Sequence, residues 1–133
     1  MYKRILVAVV FAAASTASYA DDQWVTLGET ERHLHRAKLD TFGLSENKGG
    51  EAIVVAVGQV EDRNNSTVEV QRWYVTTSDC ERGIGDLVIL EANGTYITSV
   101  DFVLQGASIA SGKADGLCYF HALRKARQES KGM

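Results

Sequence analysis

The chain has 133 residues, of which 45% are apolar and 23% are charged, with 12 glycines, two cysteines and no proline. This length and composition fit one globular domain and exclude a collagen-like, repeat or disordered chain. The formal net charge of −3 excludes the strongly basic surface that is typical of nucleic-acid-binding proteins.

The first twenty residues have the pattern of a cleaved secretory signal peptide. Lys3 and Arg4 precede an apolar run over 5–14, and small residues then lie three and one before a cleavage site after Ala20. We therefore expect a mature chain that begins at Asp21 and is exported to the periplasm, the medium or the cell surface. The apolar run has about ten residues, whereas a membrane-spanning helix needs about 20, so we expect no stable membrane anchor.

Alternating or β-branched apolar patterns predict six strands in the mature chain. The run over 52–60 is nearly all apolar and is typical of a central strand that is covered on both faces. The segment 45–50 is rich in turn residues, and Asn93-Gly94 is the strongest two-residue hairpin signal. The predicted strands are 23–27, 36–40, 52–60, 67–77, 86–91 and 95–104.

The strand over 67–77 carries two adjacent aromatic side chains. Alternation places Trp73 and Tyr74 on opposite faces of the strand, so we expect one of them in the core and the other facing solvent or the helix. An exposed aromatic side chain at this position favours a binding surface.

After Gly106 the apolar residues follow a helical spacing, from Ala110 to His121, with Ser108 as a candidate N-cap. Gly112 and Gly116 each cost about 1 kcal/mol relative to alanine within a helix, so we expect the helix backbone to approach the sheet closely there. We assign 21–133 to a single domain with a short basic tail over 128–133.

The two cysteines, Cys80 and Cys118, are expected to form a disulfide after export to an oxidising compartment. The loop that this bond closes is worth about 4 kcal/mol in the chain-entropy description. The wide spacing does not match a redox or zinc motif. The predicted fold is therefore α+β: an antiparallel sheet of about five to six strands with a C-terminal helix packed on one face and one disulfide.

The charges are distributed unevenly along the chain. Sixteen acidic and eight basic side chains lie between Asp21 and Phe120, whereas the C-terminal segment is basic. Cations at the end of a helix favour the helix dipole, and the same cations could contact a polyanion. The candidate binding residues are Arg124, Lys125 and Arg127.

Few residues suggest catalysis or metal binding. His33 and His35 are two apart, so a strand would place both on one face, and Asp40 or His121 could complete a metal site. We interpret the pair instead as part of a solvated strand edge. His121, Asp101 and a serine could be written as a triad, but no serine has a nucleophile-elbow pattern. We therefore expect no enzyme, no cofactor and no metal site.

Several short motifs follow one another in a recognisable order along the mature chain. They are Trp24, Lys38-Leu39-Asp40, Ser45, Lys48-Gly49-Gly50, the run from Trp73 to Cys80, Ser108-Ile109-Ala110 and Cys118. This order resembles the surface-adhesin protein E family of small exported bacterial proteins. The resemblance implies an antiparallel sheet with a C-terminal helix tied by a disulfide, and a surface or periplasmic role in adhering to host or matrix proteins.

Three functional hypotheses follow. The first is an exported, non-enzymatic binding protein whose partner is a host, matrix or envelope protein. The second is a periplasmic inhibitor of a cationic exported enzyme such as lysozyme, because the acidic body of the chain would attract a basic partner. The third is a metal-binding or hydrolytic enzyme.

Overall fold

A computed structural model of the chain describes residues 23–131. The predicted signal peptide and its predicted cleavage site between Ala20 and Asp21 lie outside the described residues. Within that range the chain forms seven strands, a 3₁₀ turn at Leu39–Thr41 and two α-helices. Their bounds are β1 Trp24–Glu29, β2 His33–Lys38, β3 Gly43–Glu46, β4 Ala52–Asp62, β5 Thr67–Thr76, α1 Thr77–Arg82, β6 Ile84–Glu91, β7 Tyr96–Val103 and α2 Ile109–Lys131.

All strands belong to one antiparallel sheet in the order β1-β2-β4-β5-β6-β7. The short strand β3 follows β2 along one edge of β4, because the two strands pair with different residues of that edge. The long ladder between β4 and β5 extends from the pair Ile53 and Thr76 to the pair Asp62 and Thr67. The predicted fold class of an antiparallel sheet with one C-terminal helix and one disulfide is confirmed.

Helix α2 covers one face of the sheet, and the core lies between them. Trp73, Val75 and Leu87 are fully buried from the sheet side, and Ala114 and Leu117 are fully buried from the helix side. The indole nitrogen of Trp73 donates a 2.7 Å hydrogen bond to the side-chain oxygen of Gln71, which lies on the same face of β5. The alternation predicted for β5 is therefore confirmed, with Trp73 in the core.

The helix begins as predicted and lies very close to β1. Ser108 caps it, because its Oγ accepts a 3.0 Å hydrogen bond from the backbone nitrogen of Ser111. A Cβ atom added at Gly112 would lie 2.3 Å from the carbonyl oxygen of Leu27, and one at Gly116 would lie 2.7 Å from a methyl carbon of Leu27. The two glycines thus permit the close approach of the helix backbone to the sheet that was predicted from their presence in the helix.

The disulfide joins the two helices. Cys80 lies in α1 and Cys118 in α2, with 5.3 Å between their Cα atoms. Helix α1 begins where the Oγ1 of Thr76 accepts a hydrogen bond from the backbone nitrogen of Asp79, and it ends at Gly83, whose φ of 81° is left-handed. This short helix was not predicted from the sequence.

Several predicted boundaries are wrong. The second strand ends at Lys38 rather than at 40, because the chain turns at Leu39–Thr41. Part of the expected turn-rich segment forms β3, which pairs with β4. The expected tail is helical as far as Lys131. In the described part of the chain, neither helix is long and apolar enough to cross a membrane.

Candidate functional site

The sheet face opposite α2 is not covered by any element of residues 23–131, and we call it the open face. Strand alternation builds this face, because on β5 the neighbours of the buried Trp73 and Val75 point away from the helix. One cross-strand row contains Val57, Arg72, Leu90 and Tyr96, which are directly paired from β4 to β7. The adjacent row contains Val55, Tyr74, Val88 and Ser99.

A groove with a volume of about 960 Å³ lies on the open face. Its floor consists of residues from the two cross-strand rows. One wall is the β3–β4 hairpin, including Lys48, and the other is the β6–β7 hairpin, including Asn93. This volume is in the range of about 300–1,000 Å³ that is typical of ligand sites.

Arg72 is the cation on the floor of the groove. Its guanidinium forms no ion pair with any residue of the described range 23–131, and the residues paired with it on either side are the apolar Val57 and Leu90. Arg36 also lies on the open face, but it has polar partners within the sheet. Its Nη2 donates a 3.0 Å hydrogen bond to Gln59 and lies 3.5 Å from a carboxylate oxygen of Glu61.

Two carboxylates face each other farther along the open face. Asp86 on β6 is directly paired with Asp101 on β7. The hydrogen bond between their side chains raises the pKa of Asp86 above its ordinary value, and burial and the negative charges of Asp101 and Asp79 add to the effect. This end of the open face therefore carries negative charge at neutral pH.

The two candidate metal-binding histidines lie on β2, on the face that α2 covers. Their ring centres are 6.2 Å apart, and the Nε2 of His33 lies 3.8 Å from a carboxylate oxygen of Asp62. Strand β2 lies between β1 and β4, so the interpretation of this pair as a sheet edge was wrong. Among the residues that the structure describes, no three His, Cys, Asp or Glu side chains are placed to hold a metal ion.

The His35 ring is half-buried rather than solvated. Its Nδ1 atom is buried without a hydrogen-bond partner among residues 23–131. Burial, together with the positive charges of Lys113 and His33, lowers the pKa of His35 from 6.5 to about 4. The imidazole is therefore neutral at pH 7.

The residues of the candidate triad are not brought together. The Nε2 of His121 lies 3.3 Å from a carboxylate oxygen of Glu81 on α1, whereas Asp101 faces Asp86 on the open face. Glu81 also forms an ion pair with Lys125, whose amine lies 3.6 Å from the same carboxylate oxygen. The contact between His121 and Glu81 thus joins α2 to α1 beside the disulfide.

The basic candidates near the C-terminus lie on the exposed last turns of α2. The guanidinium carbon of Arg124 is 5.9 Å from the ring centre of Phe120, and Lys125 contacts Glu81. Arg127 is exposed on the same helix. Because α2 packs on the covered face of the sheet, these three residues do not line the groove.

Sequence reasoning did not single out two unusual cations among residues 23–131, Arg72 and Lys113. Arg72 lies two residues before Tyr74, so alternation places both side chains on the face that points away from Trp73. Lys113 was not singled out, yet it is only 3% exposed beneath the helix. A lysine among the small and apolar residues of an amphipathic helix was the signal for it.

Comparison with protein-family models, with curated proteins and with solved structures found no match for this chain. The resemblance to surface-adhesin protein E therefore remains a prediction from the sequence.

Proposed function

We propose that this chain is an exported, non-enzymatic protein-binding module, similar in role to surface-adhesin protein E, and that its partner docks on the open face. The observation that carries the proposal is the uncovered row of apolar and aromatic side chains across β4 to β7. Exposed aromatic and apolar groups that share one rigid surface are typical of protein interfaces.

The shape of the chain supports this use of the open face. One face of the sheet is used for packing against α2, and the disulfide between Cys80 and Cys118 fixes that helix in place. The other face is thus a preformed surface that binds without a large ordering cost. Tyr96 is 61% exposed at one end of it, and Val70 is 45% exposed nearby on β5.

Two matched substitutions test the proposal. Tyr96 on the open face and Tyr119 on α2 are 61% and 66% exposed, so each can be replaced by lysine without loss of core packing. We expect the wild-type protein to bind saturably to at least one member of a panel of purified matrix glycoproteins and envelope proteins. Tyr96→Lys should weaken that binding at least about tenfold, which is about 1.4 kcal/mol, while Tyr119→Lys leaves it nearly unchanged.

Absence of saturable binding across the whole panel would overturn the proposal. Equal losses for Tyr96→Lys and Tyr119→Lys would overturn the assignment of the open face. Thermal unfolding of each variant shows whether the domain remains folded during the binding measurement.

A second candidate function is inhibition of a cationic exported enzyme such as lysozyme, and the pair Asp86 and Asp101 favours it. These facing carboxylates repel each other, so a lysine or arginine from a partner would relieve the repulsion. We expect micromolar protein at low salt to slow lysozyme turnover, and Asp86→Asn to reduce the inhibition. Unchanged turnover with the wild-type protein would exclude lysozyme as the target.

A further inference from the structure

We propose that the groove on the open face binds a short extended segment of the partner protein that carries one Asp or Glu side chain between apolar residues, with its carboxylate on Arg72. This inference rests on the proposed function as a protein-binding module, and it adds the chemistry of the partner.

Arg72 is placed to bind the carboxylate of the segment. Its guanidinium is placed on a floor whose neighbouring side chains in the cross-strand row are apolar, Val57 on one side and Leu90 on the other. A planar guanidinium binds a carboxylate through two parallel hydrogen bonds, and this geometry selects a carboxylate over a neutral group. Binding of a ligand that excludes water from the floor would strengthen the attraction between the two charges.

Within residues 23–131, no acidic side chain of the sheet forms an ion pair with Arg72. Other arginines of the sheet and its turns have carboxylate partners, namely Arg32 with Asp62, Arg36 with Glu61, and Arg63 with Glu29. Glu46 lines the groove on the hairpin wall but forms no ion pair with Arg72. Asp86 is four residues along β6 from Leu90, which is about 13 Å in a strand. Within the described residues, Arg72 therefore remains available to an external carboxylate.

The charge of the groove selects the class of ligand. One guanidinium on the floor and Lys48 on the wall are the basic groups that line it. A polyphosphate or a nucleic acid would need several cations along its length, whereas a single carboxylate side chain needs one. An acidic peptide segment therefore fits better than a polyanion.

The dimensions of the floor set the length of the segment. It spans four adjacent strands, β4 to β7, which is about 14 Å at the usual strand spacing. An extended peptide rises about 3.3 Å per residue, so four or five residues cross it. Val55, Val57 and Leu90 would contact apolar side chains of the segment, and Tyr74 and Tyr96 would flank the central carboxylate with aromatic surface.

The test uses two synthetic peptides that differ in one group: acetyl-Ser-Val-Glu-Val-Ser-amide and the same peptide with Gln in place of Glu. Backbone amide chemical shifts of the full folded protein are followed during titration with each peptide. We expect the Glu peptide to shift signals of β4 to β7 around the groove and to bind at least about tenfold more tightly than the Gln peptide.

Two protein variants complete the test. Arg72→Gln should bind the Glu peptide no better than the Gln peptide, and Arg36→Gln should bind both as the wild type does. Arg36 is the matched control because it lies on the same face but already has Glu61 as a partner. The comparison of the two peptides on the wild-type protein needs no variant, so it holds even if Arg72→Gln is less stable.

Equal affinity for the two peptides, shifts that lie outside the groove, or equal effects of the two arginine variants would overturn the inference. Groove signals that move with protein concentration alone would show that a second copy of the chain occupies the groove, which would also overturn it. If a partner from the matrix and envelope panel binds Arg72→Gln normally but not Tyr96→Lys, the proposed function holds and this inference fails. If the Glu peptide binds in the groove but no member of the panel binds, the proposed function fails and the specificity of the groove for a carboxylate holds.

Discussion

The side-chain amine of Lys113 lies 4.2 Å from the ring centre of Trp73, and both residues are buried between α2 and the sheet. The contact is a cation–π interaction, which partly compensates for the loss of hydration of the amine. Burial nevertheless lowers the pKa of Lys113 from 10.5 to about 8, against the opposing effect of Glu69. The folded domain therefore holds a buried charge at neutral pH.

Replacement of this lysine should stabilise the domain. The unfolded chain binds a proton at Lys113 more tightly than the folded domain does, so the stability of the wild type should rise between about pH 8 and pH 10.5. We expect Lys113→Met to raise the unfolding free energy at pH 7 by about 1–3 kcal/mol and to remove this contribution to the pH dependence. Urea unfolding at pH 7 and pH 10 measures both effects.

The control for this substitution is Lys125→Met on the same helix, because the side chain of Lys125 is 55% exposed. It should change the unfolding free energy by less than about 0.5 kcal/mol. A loss of stability in Lys113→Met would mean that the contact with Trp73 outweighs the cost of burying the charge.

A second prediction concerns His35 and acid. The folded-state pKa of about 4 is below the ordinary 6.5, so the unfolded state gains a proton first as the pH falls. The contribution of His35 to stability is thus fully present above about pH 6.5 and is lost as the pH falls towards 4. We expect His35→Asn to show a shallower loss of stability than the wild type across this window. Parallel curves for the two proteins would contradict the assignment.

The outline of the fold could be predicted because it depends on local patterns. Alternation in β5 predicted that only one of Trp73 and Tyr74 lies in the core, and the structure shows that it is Trp73. The Asn93-Gly94 turn predicted the β6–β7 hairpin. Strand β3 could not be predicted in this way, because its four residues have no strong pattern and are stabilised by pairing with Val54 and its neighbours on β4.

The candidate site could not be predicted from the sequence, because it is formed by contacts between residues that are distant in sequence. Both Arg72 and Arg36 were visible as charged strand residues, but nothing local distinguishes them. The difference arises because the β2–β4 register places Glu61 and Gln59 beside Arg36, whereas the β4–β5–β6 register places Val57 and Leu90 beside Arg72. Such partner sets follow from strand order, which the alternating pattern alone does not determine.

A third prediction tests the close approach of α2 to β1. Gly112→Ala adds a methyl group where a Cβ would lie 2.3 Å from the carbonyl oxygen of Leu27, so the helix must move away from the strand. We expect a loss of about 2 kcal/mol or more, although alanine favours an isolated helix by about 1 kcal/mol over glycine. Gly43→Ala is the control, since a Cβ there meets nothing within 4 Å. A more stable Gly112→Ala variant would contradict the contact.

A fourth prediction concerns the facing carboxylates. The pKa of Asp86 is raised in the folded domain, so the protonated pair favours folding at low pH and that contribution is lost as the pH rises through the folded-state value. We expect Asp86→Asn to raise the melting temperature at pH 7 and low salt but not at pH 3. High salt should reduce the gain by screening the repulsion. An identical gain at both pH values would show that charge is not the cause.

The last prediction concerns the disulfide between Cys80 and Cys118, which are 38 residues apart. The bond restricts the unfolded chain, and its removal should therefore lower the unfolding free energy by about 3–4 kcal/mol. The double substitution of both cysteines by serine avoids a free thiol, and urea unfolding of this variant beside the wild type with and without reductant measures the loss. The wild type in reductant should unfold near the midpoint of the variant. Equal midpoints for the oxidised and reduced wild type, or two free thiols in the oxidised protein by mass spectrometry, would show that the bond does not hold α2 against the sheet through α1.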